Sequence, residues 1–132
     1  MRATTAILQW IVRIVGIVQI VTGLLFWIGR AINLVPLHMM TGLILTIAIL
    51  ILTIFAGITG AQRGMIVAAV LLVIALPALG MTQTALLIGP WHWVIRVLHL
   101  LIGLAALRLG ETFANHILRG SAHAHHTRLS SV

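Results

Sequence analysis

The chain has almost no negative charge and neither cysteine nor lysine. Among its 132 residues Glu111 is the one acidic residue, and all eight basic residues are arginine. Without cysteine there is no disulfide, no CxxC redox pair and no cysteine-ligated cluster. Charged residues make up 7% of the chain, whereas a soluble domain carries about 25%. This composition argues against a water-soluble globular protein.

What the chain has instead is apolar sequence. Hydrophobic residues make up 61% of it, and the mean hydropathy is +1.21. Four stretches, 6–28, 35–58, 65–80 and 91–109, have about the 20 mostly apolar residues that a membrane-spanning helix needs. The third is the shortest and contains Pro77, where we expect the helix to kink or end. Because the connections are short, residues 1–110 are predicted to form an all-α, integral membrane four-helix bundle with up-down-up-down topology.

The arginines predict how this bundle is oriented. Six lie on the side of the two termini, and only Arg30 and Arg96 lie on the other side. The positive-inside rule therefore predicts a multi-pass protein of the cell (inner) membrane with both termini in the cytoplasm. The arginines are scattered singly between apolar runs, so the basic face that a nucleic-acid partner requires is not expected.

The C-terminal residues 111–132 are polar and include the histidine-rich stretch 123–126. We expect a short helical extension followed by a mobile cytoplasmic tail. The tail histidines have no carboxylate or cysteine partners, so no metal is assigned to them.

Polar side chains inside the apolar stretches are functional candidates, because an ionisable group is costly in lipid. No carboxylate lies inside any stretch, which argues against a cation-coupled transporter and against paired-carboxylate catalysis. Arg13 is interpreted as reaching out to cytoplasmic headgroups, with a lipid or quinone headgroup contact as the alternative. His92, between two tryptophans, is interpreted as an interfacial residue. The other candidates are Gln19, His38, Arg96 and His99.

His38 and His99 are the main candidate site. Helices 2 and 4 are predicted to run in the same direction, so both histidines lie toward the outer face, and two facing imidazoles can ligate haem iron from both sides. Small residues on the same helix faces, including Gly42 and Gly103, would let a macrocycle approach the backbone. Arg96 and Arg30 could pair with the haem propionates. The structural alternatives are glycine-mediated helix packing and histidines that hydrogen-bond between helices.

This pattern resembles the four-helix b-type membrane cytochromes. Over residues 6–110 the chain looks most like one half of a haem A synthase, each half of which is such a bundle. The resemblance rests on Leu37-His38, on the stretch 98–103 around His99, and on the stretch 76–80 before a short outer loop. It implies one haem b per chain, held by His38 and His99. The acidic residues on helix 1, the extracellular cysteine pair and the second half of the synthase are absent, so haem A synthesis by this chain alone is not expected.

The resulting hypothesis is single-electron transfer through one bis-histidine haem b in the outer half of the bilayer, and an electron-transfer protein is favoured over a catalyst. Electrons would pass between a quinone or redox partner protein and an acceptor at the outer face. The alternative is a non-enzymatic accessory or scaffold subunit of a larger membrane complex. The histidines could also ligate the magnesium of a chlorin, and the glycine faces could form a homodimer.

Overall fold

The structure, a computed structural model, describes the backbone of residues 1–129 and the side chains of residues 1–120. Within that part of the chain the protein is all-helical. Helix α1 is Arg2–Trp27, α2 is Val35–Ile58, α3 is Arg63–Thr82 and α4 is His92–Leu129, and a short 3-10 turn, Ile32–Leu34, precedes α2. The prediction of an all-α fold with four helices is confirmed. The histidine-rich stretch 123–126 lies outside the residues whose side chains are described.

Two helices differ from their predicted bounds. Helix α3 does not end at Pro77 but continues to Thr82, since an internal proline removes one backbone hydrogen bond without having to end a helix. Helix α4 passes the predicted boundary at residue 110 and continues to Leu129. Its continuation buries Phe113, Ala114 and Ile117 against the other helices, which stabilises it beyond the apolar run.

Side-chain contacts show that the first and last helices are antiparallel. Between α1 and α4, Gln9 hydrogen-bonds Asn115 and the backbone at Gly16 lies against Leu107, so residue numbers fall along one helix as they rise along the other. Helices α2 and α4 each contact the other three helices and form the central pair. Helices α1 and α3 lie on opposite sides of this pair.

The buried apolar core lies mainly in one half of the bundle. We call this the termini half, because α1 begins there and α4 leaves the bundle there. Its fully buried side chains include Val12, Ile49, Leu52, Phe113 and Ile117. The opposite half, which we call the histidine half, contains the end of α1, the start of α2, the end of α3 and the start of α4. There the buried side chains are Thr22 and Ile95. The termini half therefore provides most of the packing.

Each of the four helices is long and apolar enough to cross a membrane. Large apolar side chains are exposed along all of them, as at Ile17 (64%), Leu71 (62%) and Leu101 (57%). Such an outer surface is unfavourable in water and suits the interior of a bilayer, where every backbone group is paired within its own helix. The fold is thus compatible with a multi-pass membrane protein.

Candidate functional site

His38, near the start of α2, is held by a threonine of α1. The His38 Nδ1 and Thr22 Oγ1 atoms are 2.6 Å apart. The Thr22 hydroxyl donates its own proton to the carbonyl of Val18 at 2.7 Å, so it accepts a hydrogen bond from His38 Nδ1–H. A neutral imidazole protonated at Nδ1 keeps its lone pair on Nε2. Thr22 is 5% exposed, so water has little access to replace this hydrogen bond. The contact leaves His38 Nε2 as the nitrogen able to ligate a metal.

Two further residues of α1 surround the His38 ring. The ring of Phe26 meets it edge to face, with centroids 5.3 Å apart and planes at 68°. On Gly23, one residue after Thr22, an added Cβ atom would lie 3.7 Å from His38 Cε1, which is ordinary contact distance. The imidazole is therefore positioned by one face of α1, through a hydrogen bond, a glycine contact and an aromatic contact.

His99 on α4 has a similar glycine neighbour on the preceding helix. A Cβ atom at Gly80 of α3 would lie 3.6 Å from His99 Cε1. The His99 Nδ1 atom is buried and has no hydrogen-bond partner among the described residues. Buried polar atoms are normally paired, because an unpaired one costs about 1–3 kcal/mol. The His99 ring therefore differs from that of His38, whose Nδ1 atom has a hydrogen-bond partner on the preceding helix.

The two histidines lie on the central helix pair, in the same half of the bundle. No group of three or more metal-ligating side chains comes together in the part of the chain that the structure describes. Zinc sites in proteins use three or four protein ligands. Two imidazoles suit a metal whose remaining ligands come from a macrocycle, as in haem.

The glycines of the two halves differ in what lies next to them. In the termini half, a Cβ atom at Gly16 would lie 2.5 Å from Leu107, and one at Gly110 would lie 3.3 Å from Ile49, so these glycines permit close helix packing. In the histidine half, a Cβ atom at Gly103 would meet only Leu76, at 4.0 Å. Gly103 is therefore in ordinary contact with α3, which is looser than the contacts of Gly16 and Gly110.

The Gln19 side chain occupies the space next to Gly42, the other glycine that is predicted to border the cofactor. Its Nε2 atom donates to the backbone carbonyl of His38 at 2.8 Å, and it would lie 2.7 Å from a Cβ atom at Gly42. Gly42 therefore faces Gln19, and its role is to let α1 approach the start of α2. The Gln19 Oε1 atom is buried without a hydrogen-bond partner in the described residues. It is the second unpaired polar atom in the histidine half.

The predicted propionate partners lie at the surface. Arg30 and Arg96 are exposed, and in the described part of the chain neither contacts an acidic group or either histidine of the site. His92 is engaged elsewhere, since its Nδ1 is 3.2 Å from the carbonyl of Leu86 in the loop before α4. That contact agrees with the interpretation of His92 as an interfacial residue.

Arg13 has a partner that the sequence interpretation missed. Its Nε and Nη2 atoms donate to the two carboxylate oxygens of Glu111 at 2.7 and 2.9 Å, and its guanidinium lies 5.5 Å from the ring centroid of Trp10. Gln9 donates to both Glu111 and Asn115, at 2.9 and 3.1 Å. This bidentate ion pair adds a protein partner to the interpretation of Arg13 as a side chain that reaches headgroups. Spacing along the sequence could not reveal it, because the partners are 98 residues apart.

Compared with family models, with curated proteins and with solved structures, the chain finds no match in any of the three.

Proposed function

We propose that this protein is a membrane cytochrome that binds one haem b between His38 and His99 and transfers single electrons. The observation that carries the proposal is the placement of these two imidazoles in the same half of the bundle, on helices that pack against each other. No group of three or more metal-ligating side chains forms in the described part of the chain, which favours a macrocyclic cofactor over a bare metal ion.

The polar atoms around the pair fit this cofactor. Thr22 fixes the proton of His38 on Nδ1 and leaves Nε2 for the iron. Gly103 is in looser contact with its neighbour than Gly16 or Gly110, which would let a planar group approach the backbone of α4. A bound haem would supply one-electron redox chemistry at its iron. Arg96 and Arg30, which have no counter-charge of their own, would pair with the propionates.

The apolar exterior supports insertion in a membrane. The distribution of the arginines favours a cell (inner) membrane with both termini in the cytoplasm, which would put the site in the outer half of the bilayer. A quinone or a redox partner protein would exchange electrons with the site. A homodimer is compatible with the exposed apolar helix faces.

A second candidate is a cofactor-free accessory subunit of a larger membrane complex. Helix α3 favours it, because Ala69 is the single buried residue of that helix and its other faces are available to lipid or to a neighbouring subunit.

Optical spectroscopy distinguishes these two functions. The detergent-purified protein is oxidised, then reduced with dithionite, beside the variants His38→Ala and His99→Ala. A sharp low-spin reduced band that is lost or becomes high-spin in both variants is the expected result. His92→Ala is the matched control, because it removes an imidazole of α4 that lies outside the pair, and it should leave the spectrum unchanged. A colourless protein that takes up no added haem would refute the cytochrome and leave the accessory subunit.

A further inference from the structure

A groove of about 570 Å³, lined by both polar and apolar surface, lies along α4 in the termini half, far from the histidine pair. Arg108, Thr112, Asn115 and Arg119 line it at spacings of four, three and four residues, which places them on one face of the helix. Glu111 and His116 flank this face. The opposite face of the same segment is the buried one, with Phe113, Ala114 and Ile117. The groove therefore faces away from the bundle core.

Among the residues whose side chains are described, the two arginines of the groove have no acidic partner. Glu111 is the only acidic residue in the sequence, and both of its carboxylate oxygens accept hydrogen bonds from Arg13. Arg108 and Arg119 are both exposed. No described residue therefore neutralises them, and an anionic group of another molecule would.

One other polar group of the groove can donate hydrogen bonds to an anion. The Asn115 Oδ1 atom accepts from Gln9 at 3.1 Å, which leaves the Asn115 amide hydrogens on Nδ2 to donate. The His116 Nε2 atom is 3.4 Å from the carbonyl of Thr59, just after the end of α2. Two guanidinium groups and an amide donor suit an anion with several acceptor oxygens, and phosphate is the common one in proteins.

The position of the groove along the bundle axis indicates which kind of molecule carries that phosphate. Arg108 belongs to the apolar segment of α4 that could cross a membrane, His92–Gly120. From Arg108 to Arg119 the helix rises roughly 16 Å at about 1.5 Å per residue, to beyond the level of Thr59 where α2 ends. The groove thus begins within the apolar region and ends at its boundary. An arginine that faces lipid is stabilised when its side chain reaches a headgroup.

We propose that this groove binds the phosphate of an anionic phospholipid from the leaflet on the side of the chain termini. The proposal depends on the proposed membrane insertion but not on haem, so a colourless protein would leave it standing.

Lipid binding to the full-length protein tests the proposal, by native mass spectrometry and by the thermal unfolding midpoint in detergent. The probes are phosphatidylglycerol, phosphatidylcholine and inorganic phosphate. Phosphatidylglycerol should bind and raise the midpoint, whereas phosphatidylcholine should bind at least about tenfold more weakly, and inorganic phosphate should not compete. The double variant Arg108→Gln/Arg119→Gln should lower the affinity for phosphatidylglycerol at least about tenfold.

Two variants keep the result interpretable. Arg2→Gln/Arg63→Gln removes two exposed arginines at the same end of the bundle but outside the groove, and it should retain the affinity. Arg108→Lys/Arg119→Lys keeps the charge and should bind with intermediate affinity, which shows that the groove tolerates substitution. Equal loss of affinity in the Arg2/Arg63 variant would overturn the site in favour of diffuse charge attraction. Competition by inorganic phosphate would overturn the lipid in favour of a soluble anion.

Discussion

The hydrogen bond between Thr22 and His38 gives the sharpest test of the proposed site. Thr22→Val keeps the shape of the side chain and removes the acceptor of His38 Nδ1–H, which lies 2.6 Å away. An acceptor on this proton makes the imidazole a stronger electron donor, which favours ferric iron. Its loss should therefore raise the reduction potential. Thr22 is 5% exposed, so little water can replace the hydroxyl.

The expected size of this shift follows from the net value of one hydrogen bond. A typical hydrogen bond contributes about 0.5–1.5 kcal/mol. For a one-electron couple a tenfold change in equilibrium, about 1.4 kcal/mol, corresponds to about 59 mV. If most of this free energy stabilises the ferric state relative to the ferrous state, Thr22→Val should raise the reduction potential by roughly 20–60 mV. A redox titration followed through the reduced haem band measures this shift.

The conservative variant Thr22→Ser restores the hydroxyl. Its reduction potential should lie within about 10 mV of that of the starting protein, a smaller difference than the shift expected from loss of one hydrogen bond. In the haem-free protein, ¹⁵N NMR of the His38 ring should show the proton on Nδ1, and Thr22→Val should yield a tautomer mixture. An unchanged potential in Thr22→Val, or an equal shift in Thr22→Ser, would refute the positioning role even if haem is bound. A tautomer mixture in the unmodified protein would refute it as well.

Two other substitutions test the two halves of the bundle separately. Gly80→Leu should abolish cofactor binding. The leucine side chain would extend from a Cβ atom only 3.6 Å from His99 Cε1 into the space that the imidazole occupies. Haem occupancy after purification measures this effect. Phe113→Ala should lower the free energy of unfolding by about 3–5 kcal/mol, the usual cost of truncating a fully buried phenylalanine, as measured by denaturation in detergent. Because Phe113 lies in the termini half, the optical spectrum of the Phe113→Ala variant should match that of the starting protein.

Each of these variants has a matched control. Gly80→Ala adds only the Cβ atom at ordinary contact distance, so it should retain the cofactor. Leu104→Ala shortens an apolar side chain of α4 that is 43% exposed, and it should cost far less stability than Phe113→Ala. Full haem occupancy in Gly80→Leu would contradict the proposed contact with His99. Equal destabilisation by the two α4 truncations would contradict the location of the core in the termini half.

The sequence by itself determined the helical class and the positions of the helices. Apolar runs long enough to cross a membrane predict helices directly, because backbone groups away from water must be paired within each segment. The second stretch, 35–58, coincides with helix Val35–Ile58. The third stretch, 65–80, falls two residues short of helix Arg63–Thr82 at each end, and the fourth helix continues past the apolar stretch 91–109, where a short helical extension is expected. Helix α4 continues because Phe113 and Ile117 are buried by helices far away in the sequence.

Only the tertiary structure decided which polar groups meet. The sequence selects His38 and His99 as candidates because polar groups are rare in apolar segments, but it does not show that Thr22 orients His38 or that Gly42 faces Gln19. The bidentate pair of Arg13 and Glu111 joins the first helix to the last, and it leaves the arginines of the α4 groove without an acidic partner. Hydrogen bonds and ion pairs act over about 3 Å, so they depend on how the helices are rotated about their axes, and packing between helices sets that rotation.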